Sequence, residues 1–131
     1  MGLWNPETYS VDLQRLQRAT AAVRRGARLL DKHLPHWRRV MRKHDADFNI
    51  TNGDYCVLGT LEHRSGLRRL RKHGTTEKTE TGYHSALKRL RISEERASEF
   101  GFDTTSDGAL TGSATELEAL WRAEYMEGRD V

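Results

Sequence analysis

Residues 11–34 read VDLQRLQRATAAVRRGARLLDKHL, and this stretch decides the fold class. Leu13, Leu16, Thr20, Val23, Ala27, Leu30 and Leu34 alternate three and four residues apart, which on a helix places them in one narrow seam. Arg18, Arg25 and Lys32 recur every seven residues on another stripe. The spacing predicts a helix from about Val11 to Leu34, capped by Ser10 and stopped or kinked by Pro35. Gly26 in its interior costs about 1 kcal/mol relative to alanine, which a long helix tolerates. The seam fits the core of a bundle. A self-associating zipper fits less well, because Thr20 and Ala27 interrupt the heptads.

Working outward, residues 1–10 read as a lead-in. His36 opens a short helical piece in which Trp37, Val40 and Met41 share a face. The chain then turns polar as far as Asn52-Gly53-Asp54, a turn signal that leaves Asp54 near the N-cap of the next helix. A hairpin at Asn52-Gly53 is the other reading, but its flanks are short. Tyr55 to His73 carries Leu58, Leu61, Leu67 and Leu70 around Gly59 and Gly66, as two short helices or one broken one. Tyr83, Leu87 and Leu90 mark a further helix. Ser93 caps a short one that Gly101 ends. Thr115-Glu116-Leu117-Glu118 reads as a capping box before a last helix with Leu117, Leu120, Trp121 and Tyr125 on one face. Segments 74–82 and 103–114 read as flexible loops.

The expected fold is therefore all-α: one domain over residues 1–131, a small bundle of about five to six helices with one long N-terminal helix. Its core should hold Leu16, Val23, Leu30, Trp37, Leu58, Leu61, Leu87, Phe100, Leu117 and Trp121. The hydrophobic share is 36% against 31% charged, so that core is slim. No apolar run reaches the ~20 residues of a membrane span. The N-terminus lacks the basic and apolar regions of a secretory signal. With one cysteine, Cys56, there is no internal disulfide.

Catalytic signatures are sparse. The six histidines do not fall at the spacing of a zinc site, so solvated histidines are the simpler account. Cys56 with His63 or His84 would make a nucleophile pair, but the Cys56-Val57-Leu58 context is that of a buried cysteine. No phosphate-cradling glycine loop occurs. The expectation is a non-enzyme with no catalytic residue, no metal, no cofactor and no small-molecule substrate.

Charge is more informative. The net charge is only +3, yet residues 1–46 carry +6, residues 47–92 carry +4 and residues 93–131 carry −7. Four basic clusters fall on expected helices: Arg24-Arg25, Arg38-Arg39 with Arg42-Lys43, Arg68-Arg69 with Arg71-Lys72, and Lys88-Arg89 with Arg91. Converging on one face, they would bind phosphates or an acidic partner. Arg64 to Lys72 has some likeness to a recognition helix, but lacks the Asn, Gln, Ser or Thr that read bases. Glu116, Glu118, Glu124 and Glu127 mark a candidate acidic face on the last helix. That helix should dock on the first, with some carboxylates near Arg24, Arg25 or Arg28.

Leu29-Leu30-Asp31 with Pro35-His36-Trp37, Cys56-Val57-Leu58-Gly59-Thr60-Leu61, Gly82-Tyr83 with Ala86-Leu87, and Ala97-Ser98-Glu99-Phe100-Gly101-Phe102-Asp103 form an ordered set. Over about residues 27–103, in pieces, the chain resembles small uncharacterised proteins of actinobacteria and actinobacterial phages, which carry LLDE..PGW, C.LGQL.G.Y and AAEYGFD in that order. It departs at Thr60, where that group has Gln, and in stretch 62–81, which reads as an insertion. The resemblance implies a setting, the cytoplasm of a GC-rich bacterial host, and no site. Arginine outnumbers lysine seventeen to five, as a GC-rich genome would give. The leading expectation is a phage-encoded accessory protein that binds a host macromolecule, a protein first. The alternative is a nucleic-acid-binding regulator.

Overall fold

The computed structural model describes residues 6–64, 81–103 and 114–128. It is all-α, with no strand among the described residues. Helix α1 spans Pro6–His33, α2 Trp37–Lys43, α3 Val57–Arg64, α4 Gly82–Leu90, α5 Glu94–Ala97 and α6 Ala114–Glu127. Short 3₁₀ turns occupy Asp45–Asp47 and Ser98–Phe100. None of these helices is long and apolar enough to cross a membrane. Of the two expected loops, 74–80 and 104–113 lie outside the described residues, whereas Thr81 and Gly82 open α4.

Helix α1 begins at Pro6, so residues 6–10 are helical and Ser10 lies inside the helix rather than capping it. Proline suits a first helical position, where its missing N–H would have no partner. The seam is buried only in its second half. Ala19, Ala22, Val23, Ala27 and Leu30 are buried, but Leu13 is 42% and Leu16 44% exposed. The expectation that Leu16 joins the core is thus overturned. Among the described residues the elements packed most on α1 are the 3₁₀ turn Ser98–Phe100 and α6, and from Leu13 onward the first buried residue is Ala19. The periodicity of the seam is real, but Leu13 and Leu16 lie outside its buried part. Thr20 turns its hydroxyl back onto the Leu16 carbonyl at 2.8 Å.

Aromatic rings fill the centre. Trp121 of α6 meets Trp37 edge-on at 5.8 Å and stacks on Phe102 at 5.6 Å. Phe48 meets Tyr125 edge-on at 5.6 Å. Trp37, Leu58, Leu61, Leu87, Leu117 and Trp121 are all buried, as the spacing predicts; Phe100 is only half-buried and stacks on Phe102. Gly26 is where α1 comes closest to its neighbours. A β-carbon there would lie 2.1 Å from the Phe100 carbonyl oxygen and 2.9 Å from the Trp121 ring. Gly26 is thus required by packing. Gly101, at φ +71°, takes the left-handed conformation that ends the Ser98–Phe100 turn, in keeping with its expected role as a cap.

Helices α3 and α4 form the tightest helix pair. Between them Glu62 is 2% exposed, and Arg89 Nε donates to both its carboxylate oxygens at 2.8 and 3.0 Å. The Asn52-Gly53-Asp54 turn docks on the N-terminus of α4: Tyr83 N donates to Gly53 O at 2.7 Å and Gly82 N to Asp54 Oδ1 at 2.9 Å. Asp54 therefore serves the open N–H groups of α4 rather than capping α3, which starts at Val57. The capping box is also reassigned. Helix α6 starts at Ala114, Thr115 is exposed within its first turn, and Glu118 Oε1 accepts from Ile50 N at 3.0 Å.

Candidate protein-binding surface

A spacing of four places Arg38 and Arg42 on one face of α2, and the structure turns that face toward α6. Arg38 is 5% exposed. It donates to Asp31 and, at 2.8 Å, to Glu124 Oε1, with its guanidinium 4.5 Å above the Trp37 ring. Burial alone would lower its pKa, but the hydrogen bonds to Glu124 and Asp31 outweigh it and the net shift is upward. Arg42 Nη1 donates to the carbonyls of Tyr125 at 2.9 Å and Gly128 at 3.3 Å, groups that a helix C-terminus leaves open. The two arginines thus clamp the C-terminal end of α6, where its dipole is negative.

Other sequence-selected arginines have similar duties. Arg89 holds buried Glu62, and Arg25 Nε donates to the Glu99 carbonyl at 2.8 Å, tying α1 to the Ser98–Phe100 turn. Arg39, Lys43 and Lys88 are exposed on α2 and α4. Arg91 is exposed at the C-cap of α4, in the left-handed conformation at φ 60°. Arg68, Arg69, Arg71 and Lys72 lie outside the described residues. Of the acids, Glu124 accepts from Arg38 and, with Glu127, lines a recess that Arg24 also lines, while Glu118 receives Ile50 N and lies 3.9 Å from Arg122. Glu116 and Glu127 are exposed near opposite ends of α6. The core and α6 thus bring Arg38, Arg42, Asp31 and Glu124 together, with Arg24 and Glu127 lining a recess beside Glu124.

Among the described residues, Gln17, Ala21, Arg24 and Arg28 are exposed along one side of α1. A shallow groove of about 550 Å³ runs along Leu16, Gln17, Thr20, Ala21, Arg24, Arg25 and Arg28. Residues 13–30 contain five arginines and no acid, and Glu124 and Glu127 of α6 line a recess with Arg24. Sequence periodicity assigned Leu13 and Leu16 to the core and so missed them as surface residues. No local signal separates them from Val23 and Leu30, which continue the same seam and are buried.

A second recess, of about 290 Å³, is lined by His44, Asp47, Asp54, Tyr55, Thr60, His63 and Arg64. His63 Nε2 lies 3.0 Å from Asp54 Oδ1, the atom that also receives Gly82 N. These contacts, the His63 hydrogen bond first, hold the Asp54 carboxyl below its usual range. His84 is bonded to Thr81 Oγ1 at 2.8 Å and to Glu94 at 2.9 Å. Cys56 is 3% exposed, and burial pushes its thiol up to about 11. Its Sγ accepts from Gly59 N at 3.3 Å. Among the described residues, no group of three His, Cys, Asp or Glu is placed to hold a metal ion. Comparison with protein-family models, with curated proteins and with solved structures found no match.

Proposed function

We propose that this protein works by non-catalytic binding, and that its target is a protein met through the exposed side of α1 around Leu13 and Leu16. The observation that carries the reading is the pair Leu13 and Leu16, 42% and 44% exposed on the seam whose later members Val23, Ala27 and Leu30 are buried. Leucines beside Arg24 and Arg28 make a mixed apolar and basic face, the composition of a protein-docking patch rather than of a phosphate-tracking one. Arg38, Arg42 and Arg89 are spent on carboxylates and carbonyls inside the fold, which leaves fewer of the basic clusters for nucleic acid. The resemblance to actinobacterial and phage proteins supports a setting in the cytoplasm of a bacterial host and an accessory role there.

The test compares two binding assays. Captured host protein should depend on Leu13 and Leu16, and fall when both become serine. Random duplex DNA at low salt should bind weakly, without the log–log slope of roughly −0.9 per phosphate that a duplex binder shows. Tight, salt-steep duplex binding that is lost with Arg24 and Arg28 would replace this reading with the nucleic-acid one.

A further inference from the structure

We draw no further inference here: the strongest candidate, the exposed side of α1 around Leu13 and Leu16, belongs to the surface already described, and nothing in the structure shows what covers it.

Discussion

Trp121 Nε1 donates to the Gly101 carbonyl oxygen at 2.6 Å, and both residues are buried. This bond joins α6 to the turn that packs on α1. Trp121→Phe keeps most of the ring but strands a buried carbonyl, at an expected cost of about 1–3 kcal/mol in chemical denaturation. Trp121→Ala should cost about 3–5 kcal/mol. Truncation after Ser113 should destabilise the whole fold and expose apolar surface to a dye.

Gly26→Ala tests packing against propensity. Alanine favours the helix by about 1 kcal/mol. Its β-carbon, however, would sit 2.1 Å from a backbone oxygen, which cannot swing away as a side-chain tip can. The variant should therefore melt lower than the parent protein. A rise in melting temperature would show that α1 does not approach the Ser98–Phe100 turn this closely.

The buried Arg89–Glu62 pair should behave asymmetrically on mutation. Glu62→Ala leaves Arg89 buried without this carboxylate and should cost about 3–5 kcal/mol. Joint replacement by Glu62→Leu and Arg89→Met should recover much of that loss, since apolar pairs of similar volume replace buried ions at little cost. Urea denaturation of the two single variants and the double variant checks the coupling.

Two pH limbs follow from named groups. The Asp54 carboxyl is held low by His63 and by the Gly82 N–H, and Asp45 by its hydrogen bonds to Tyr125 and Arg122. Their folded values lie below the unfolded 3.8, so the stability they add is whole above that value and is lost as pH falls through the folded ones. Asp54→Asn and Asp45→Asn should each flatten the acid limb of a melting-temperature profile between about pH 4 and 2.

Cys56 contributes on the alkaline side, in the opposite sense. Its folded value of about 11 exceeds the ordinary 9.0, so its contribution is whole below 9.0 and falls as pH rises toward 11. Cys56→Ala should soften that limb. At neutral pH a thiol reagent should modify Cys56 no faster than the protein unfolds, and fast modification would mean the thiol is open in the native state.

The sequence by itself determined the helical elements and most of the core. Trp37, Leu58, Leu87, Leu117 and Trp121 fall at helical spacing, and Gly101 can end a helix because it tolerates a positive φ; each signal acts within a few residues. Tertiary structure alone decided which faces are covered and which charges are spent. Leu16 and Leu30 share one seam, yet only Leu30 is buried. Arg38 and Arg24 look alike as members of basic pairs, yet Arg38 faces Glu124, eighty-six residues away. Local patterning sets where a side chain points on its own helix; whether another helix stands there depends on the relative placement of α1, α2 and α6, which no window of sequence contains.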